Sequence, residues 1–525
     1  MYTMKNLIIL IFVFFNCLPA YSQVTQLWAI QQDMSQDDQP ESMAVDNSGN
    51  VYITGYKERF FMYMTSKYNS SGVLQWTRFY DGPGIGGVDH ASSLALDNSG
   101  NVYVTGYSDG IGTQTDFVTI KYNTDGVQLW LKRFNGPSNL DDEAISIKVD
   151  ALGNSYVLGS SFGNWQDFAV VKYDPAGNQL WVQRYSETIS STEVAYALAI
   201  DGLGNVYITG GSDTTSVTGS TVRSDFETIK YNTDGVLQWQ KRYNSPSDSI
   251  DAPNSIAVDI SGNVFVTGGS LELGKTNCVT IKYNSSGIQQ WIVKNSGAEG
   301  KGAGGFFIRT DAAGNAYIAG VNKLTGTNYN CLILKYNSAG DQQFMQIYTP
   351  NSTPHCMELD AASNIYITVG VSTIKYNSSG IQQWIQSYMG PGNHPLGITC
   401  LAVEGNSNFD IAGLSNEYMY TLKYSQTLTG VHEPGNIPEL FSLSQNYPNP
   451  FNPTTNIKYD LPVGDFVVLK VYDVIGNEIE TLVNEKQNAG SYSVSFNAVN
   501  YPSGVYFYKL MTEKFSETKK MVVVK

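Results

Sequence analysis

The sequence predicts an all-β chain, because three short motifs recur in the same order at a spacing of about fifty residues, the period expected of four-stranded repeat units. The first motif is a hairpin, acidic-x-x-x-Asn-x-aromatic. It begins at Asp46, Asp97, Asp150, Asp201, Asp259, Asp311 and Asp360, with a degenerate copy at Glu404 running through Asn408, Phe409 and Gly413. The second is a Lys-Tyr pair at Lys67, Lys121, Lys172, Lys230, Lys282, Lys335, Lys375 and Lys423. The third is an aromatic strand carrying Trp28, Trp76, Trp130, Trp181, Trp239, Trp291, Phe344 and Trp384. In the clearest unit, residues 91–134, the strands read SLALD, NVYVTG, FVTIKYN and QLWLKRF. Apolar and β-branched residues alternate in each, between turn signals.

Such units build either an open solenoid or a β-propeller, and the two ends of the repeat region decide between them. The aromatic strand around Trp28 precedes any complete unit, whereas the last unit stops after Lys423-Tyr424 without one. Pairing the two completes both and leaves no orphan edge. The expectation is a propeller of eight blades over residues 23–425, closed by the N-terminal strand.

Composition agrees. Only 15% of the 525 residues are charged and 42% are apolar, with 50 Gly and 35 Tyr, a mix that favours strands and tight turns. The formal net charge is −15 and no basic stripe is visible, which argues against nucleic-acid binding. Residues 1–22 read as a signal peptide. Lys5 supplies the positive start, Leu7 to Phe15 the apolar run, and Ala20 and Ser22 the small residues before a cleavage point at Gln23. Cys17 raises a lipoprotein alternative, but the Phe-Phe-Asn before it lacks the small residues of a lipobox. No other segment has transmembrane length, so the mature chain is expected to carry no membrane span.

Motif spacing separates scaffold from possible function. The steps from acid to Asn and from Lys to aromatic are constant, so those turns belong to one face of the ring. The other connections vary in length, which makes the opposite face, including the Gly211–Asp225 loop, the expected ligand face. Eight residues before the hairpin acid stand Asp38, Asp89, Asp142, Glu193 and Asp251, followed in later units by Ala303, Ser352 and Leu396. Five carboxylates at the mouth of a central channel would attract a cation or a basic ligand, and Ca2+ is the one cofactor this arrangement suggests. The structural reading is that each acid caps its own loop backbone. The recurring Asp-x-x-Gly-Asn turn offers one reliable carboxylate and reads as a capped hairpin, not a calcium loop. The tryptophans are expected to wedge between blades.

Cys278 and Cys331 fill equivalent places in two repeats, as do Cys356 and Cys400, and read as buried thiols in place of apolar or small residues. Four histidines, His90, His355, His394 and His432, lie at non-equivalent places, and there is no GxSxG, HExxH or phosphate loop. An extracellular enzyme acting on glycans or peptides therefore stays the alternative to a binding protein. A quinone-cofactor propeller is supported only by its Gly-x-x-x-Trp spacing.

Through DNSGNVYVTGY and DFVTIKYNTDGVQLW the repeat resembles the bacterial β-propeller repeats named SBBP, over most of residues 40–425. The family name implies seven blades, against the eight repeats counted here. After Tyr424 the pattern stops. Residues 426–440 are polar, with Pro and Gly, and read as a linker. The segment 441–525 has short alternating strands and is expected to form a small Ig-like β-sandwich. Through QNYPNPFNPTT, VYDVIGNEIETLV, AGSYSVSFNA, SGVYFYKL and KKMVVVK it resembles the type A C-terminal sorting domain of the type IX (Por) secretion system. That resemblance implies the secretion machinery as a partner, outer-membrane passage in a Gram-negative bacterium, and release or attachment at the cell surface. The unknown there is an extracellular ligand, whether glycan, peptide or protein.

Overall fold

The computed structural model describes residues 24–524 except 32–37, 58–61, 85, 187–190, 214–223, 248, 324–327, 350, 391–393, 406–407, 416–417, 427–439, 488–489 and 500. The signal peptide expected at 1–22, most of the linker and most of the Gly211–Asp225 loop lie outside the described residues. The chain divides into two compact units, one over Val24–Ser425 and one whose folded part follows Gln426. One 3-10 turn, Ala298–Gly300, is the only helix among the described residues, and none is long and apolar enough to cross a membrane.

Residues 24–425 form eight four-stranded antiparallel sheets among the described residues. Seven run through consecutive strands, beginning with Asp38–Val45, Val51–Lys57, Met62–Tyr68 and Leu74–Tyr80. The eighth holds Gly397–Glu404, Asn408–Ser415 and Tyr418–Gln426, and its fourth strand is the N-terminal Val24–Gln31. The first strand of each sheet lies beside the first strand of the next, and that of the eighth lies beside that of the first. A cluster of buried apolar side chains fills every junction. Val51, Ile53 and Met64 of the first sheet, for example, meet Cys400, Ala412 and Met419 of the eighth.

Each repeat motif has a mechanical role. In the hairpin, Asp97 Oδ1 accepts from the amides of Ser99 and Asn101, both at 2.9 Å, and Oδ2 from Asn101 Nδ2 at 2.7 Å. This is a capped turn, as the spacing predicts. The Lys-Tyr and Trp motifs latch neighbouring sheets: Lys67 Nζ and Trp76 Nε1 both donate to Thr124 O at 3.0 Å, in the Lys-Tyr turn of the next sheet. Lys172 and Trp181 do the same to Thr233 O at 2.8 and 3.0 Å, and Lys282 and Trp291 to Ser338 O at 2.9 and 3.1 Å. At the eighth junction the two donors come from opposite ends of the repeat region. Trp28 Nε1 donates to Ser70 O at 3.0 Å, and Lys423 Nζ to Gly49 O at 3.0 Å. A hydrogen bond from a charged donor is worth about 1.5–3 kcal/mol, less where water reaches it, so the latch adds to the apolar packing of the junction.

Every first strand carries a β-bulge, between Pro40 and Ser42, Ala91 and Ser93, and at the same place in the rest. The bulged backbone presses on the second strand. A Cβ on Gly106 would stand 1.9 Å from His90 O, and seven of the eight second strands carry glycine at this position, the seventh sheet having Val369 instead.

In the second unit a three-stranded sheet (Ser442–Leu443, Thr454–Leu461, Gly490–Asn497) and a four-stranded one (Asp465–Tyr472, Glu478–Gln487, Gly504–Met511, Ser516–Val523) enclose one apolar core. The N-terminal QNYPNPFNPTT segment is stitched to the last strand. The Phe451 amide donates to Val522 O at 3.0 Å, the Val524 amide to Phe451 O at 2.9 Å, and the Val522 amide to Asn449 Oδ1 at 2.9 Å. Phe451 itself is buried in the core. The signature segments at the two ends of this domain are thus one structural element.

Candidate functional site

The five acids expected at the channel mouth sit at the start of the innermost strands, but all are buried, with exposures of 0–2%. This departs from the exposed ring anticipated from the sequence, and the reason is alternation. Successive side chains of a strand point to opposite sides, so Asp89 and Ala91 are buried while the residue after each, His90 and Ser92, is only partly so. Asp89 Oδ2 accepts from the Gly82 amide at 2.6 Å, Asp251 Oδ2 from the Ser245 amide at 2.6 Å, and Asp142 Oδ2 from the Gly136 amide. The donors belong to Asp81-Gly82-Pro83, Asn135-Gly136-Pro137 and Asn244-Ser245-Pro246, the loops that lead from one sheet into the next. The acid therefore staples its own incoming loop. In the sixth sheet, where Ala303 stands, Asn322 Oδ1 takes the Ala298 amide at 2.7 Å instead. Burial pushes the Asp89 and Asp142 carboxyls above the usual carboxylate range, against the pull of the loop amides.

The same end of the second to fourth sheets carries a cross-strand polar ladder that the sequence reading missed. Asp89, Ser108 and Asp116 stand opposite one another on successive strands, as do Asp142, Ser161 and Asp167, and Glu193, Ser212 and Asp225. An arginine on the fourth strand closes each ladder: Arg133 to Asp116 at 2.8 Å, Arg184 to Asp167 at 2.7 Å, Arg242 to Asp225 at 2.5 Å. The signal was present in the paired Asp-Phe and Arg-Phe or Arg-Tyr steps of those repeats.

What the inner strands leave accessible at this end is a different set of side chains. The His90 ring stacks on Tyr107 of its own sheet, 5.0 Å between centroids and 5° between planes, and lies 4.2 Å from the Tyr56 ring of the first sheet. Glu41 Oε1 is 3.7 Å from His90 Nε2, and Glu143 of the third sheet influences Tyr107. Burial holds His90 down at about 4, so the imidazole is neutral at physiological pH and its contact with Glu41 is not an ion pair there. Burial also raises Glu41 and Glu143. The result is an aromatic cluster flanked by two reluctant carboxylates, with hydrogen-bonding edges and π faces. That chemistry suits a polyhydroxylated or cationic group.

Among the described residues, no three or more His, Cys, Asp or Glu side chains group closely enough to hold a metal ion. Cys278, Cys331, Cys356 and Cys400 are free thiols and all but Cys356 are fully buried. His355 and His394 lie apart from His90, in the seventh and eighth repeats, while His432 falls outside the described residues.

Comparison with known proteins bears on both units. Residues 34–56, 82–112 and 238–272 match the family described as Beta-propeller repeat, SBBP. Residues 445–524 match the Secretion system C-terminal sorting domain. An uncharacterized WD repeat-containing protein, L264, of Acanthamoeba polyphaga mimivirus is 21% identical over 336 residues, 48% of this chain and 23% of that protein. The chain thus spans under a quarter of that relative's length. Among solved structures, Sqt1 from Chaetomium thermophilum aligns over 76% of this chain and 99% of its own at 10% identity, with a TM-score of 0.50. PorZ, described as a surface component of the type-IX secretion system of Porphyromonas gingivalis, aligns over 92% and 70% at 15% identity, with a TM-score of 0.37. The chain carries SBBP-type β-propeller repeats followed by a C-terminal sorting domain of the Por secretion system.

Proposed function

We propose that this is a secreted binding protein of the bacterial surface: an eight-bladed propeller, closed by the strand Val24–Gln31, delivered by the type IX machinery through an Ig-like C-terminal sandwich. The observation that carries the export half is the sorting-domain match at 445–524. Eight blades are supported by the eight four-stranded sheets, by the apolar cluster at each junction, and by Trp28 and Lys423 latching the eighth sheet to the first. The binding half rests on the Tyr56–His90–Tyr107 cluster with Glu41 and Glu143, which offers contact chemistry without a nucleophile paired to a base. Its ligand is an extracellular glycan or a basic peptide. The buried acids Asp38, Asp89, Asp142, Glu193 and Asp251 are read as loop staples, with their burial and the three amide contacts as support.

Two experiments test the two halves separately. Removing 441–525 in a bacterium that has the machinery should leave the propeller inside the outer membrane, and undiminished release would overturn the export reading. Tyr107→Ala should abolish binding to whichever glycan or peptide an array of both detects for the wild type. Unchanged array signals would overturn the site.

A further inference from the structure

The inner strands hold a second arrangement at their opposite, hairpin end. Two residues before each hairpin acid stand Ala44, Ala95, Lys148, Ala199, Ala257, Arg309, Glu358 and Ala402. The register makes these one equivalent position. Each faces the aromatic of its hairpin across the first and second strands, as in Ala95 opposite Tyr103, Lys148 opposite Tyr156 and Arg309 opposite Tyr317; in the eighth sheet Ala402 faces Asp410. Five of the eight repeats thus place a methyl group there, and three place a long charged side chain.

Those three come from the third, sixth and seventh sheets. Arg309 bridges to Glu358 of the next sheet, Nη2–Oε1 2.7 Å and Nε–Oε2 3.2 Å. Lys148 lies near enough for the Arg309 charge to push its ammonium down and the Glu358 charge to pull it up, though burial is the larger influence. Its side chain is exposed to solvent. Among the described residues no hydrogen-bond acceptor engages Lys148 Nζ and no carboxylate stands within ion-pair distance of it. The ammonium has no acceptor from the protein among these residues, and the guanidinium beside it is held by Glu358 through Nε and Nη2 and by Ile308 O through Nη1 at 3.0 Å, which leaves a net positive charge open to an anion.

We propose that the hairpin end of the inner channel is an oxyanion site, in which Lys148 and Arg309 together hold one carboxylate or phosphate group of a small molecule. The ammonium supplies a point charge, and the planar guanidinium, with Nη1 also donating to Ile308 O, keeps one N–H on each of Nη1 and Nη2 for the anion. Alanine in the other five repeats gives the anion room. The site is independent of the aromatic cluster at the far end of the same strands, and neither needs the other.

The test uses the full mature chain and two probes, inorganic phosphate and acetate, each titrated against chloride at constant ionic strength by calorimetry and by shift of the melting temperature. The wild type should bind at least one of them saturably. Lys148→Ala installs the residue that five sibling repeats already carry, so it should fold as the wild type does and weaken binding by about tenfold or more. Glu358→Gln, which frees Arg309, should tighten it. Preference between phosphate and acetate identifies which oxyanion the site takes. Absence of saturable binding for both probes, or equal affinity in a folded Lys148→Ala variant, would overturn the proposal.

Discussion

Replacing Gly126 by alanine isolates the contact that joins one sheet to the next. Gly126 has φ +76°, and a Cβ there would stand 2.6 Å from Cδ2 and 2.8 Å from Cγ of Trp76 in the preceding sheet. A left-handed alanine costs about 1–2 kcal/mol. Relieving the overlap means moving an indole that is 7% exposed and hydrogen-bonded to Thr124 O at 3.0 Å, which adds about 1–3 kcal/mol of overpacking and about 1 kcal/mol of lost hydrogen bond. Gly112 is the control: φ is +79° but nothing lies within 4 Å of its would-be Cβ, so Gly112→Ala should cost the backbone strain alone. The expected loss is about 3–6 kcal/mol for Gly126→Ala against about 1–2 kcal/mol for Gly112→Ala. In a Trp76→Ala background the Gly126 substitution should fall to the control value. Denaturant unfolding followed by tryptophan fluorescence reads this cleanly, because all eight tryptophans lie between residues 28 and 384 and none in the sorting domain. Equal losses at the two glycines, or no coupling to Trp76, would refute the reasoning.

Three further outcomes are expected. Burial pushes Cys278 up to about 11 and Cys356 up to about 12, and raises Cys331 and Cys400 as well; the native protein should resist a thiol reagent at about pH 8 and react at all four sites once denatured, and rapid native labelling would contradict their burial. The raised carboxyl of Asp142 favours the fold below the ordinary carboxylate range, and that contribution is lost as pH rises through the raised value. Asp142→Asn should therefore match the wild type in melting temperature at about pH 3 and exceed it at about pH 7, whereas a destabilised variant at neutral pH would mean that the charge is needed. Phe451→Ala should cost the sorting unit about 3–5 kcal/mol by emptying its core position, and should reduce the fraction of protein found outside producing cells; normal release would separate the fold of this unit from its sorting role.

The repeat was legible because its motifs are anchored to turns. Asp97 and Asn101 keep their spacing from unit to unit because the Asp97 carboxylate closes the turn on the Asn101 amides, and Lys121 and Trp130 because both donate to Pro175 O of the next sheet. The inner strands were legible only in part. Which of two neighbouring residues faces the channel depends on the phase of the strand, and the bulge between Ala91 and Ser93 shifts that phase without any mark in composition. Asp89 and His90 are adjacent, and the reading chose the residue that turns inward to the loop. Lys148, Arg309 and Glu358 were visible in the sequence but stand out only once their alanine siblings are aligned by register. In the C-terminal unit QNYPNPFNPTT and KKMVVVK were recognisable as separate segments, while their pairing through Phe451, Val522 and Val524 is a matter of three dimensions.

Hydrogen exchange across the eighth sheet tests closure most directly. If Val24–Gln31 is the fourth strand of the sheet that ends at Tyr418–Gln426, its amides should exchange as slowly as those of that neighbour, and substituting Trp28 by alanine should speed both. Fast exchange over 24–31 in a protein whose other sheets are protected would mean that the N-terminal segment is not part of the ring.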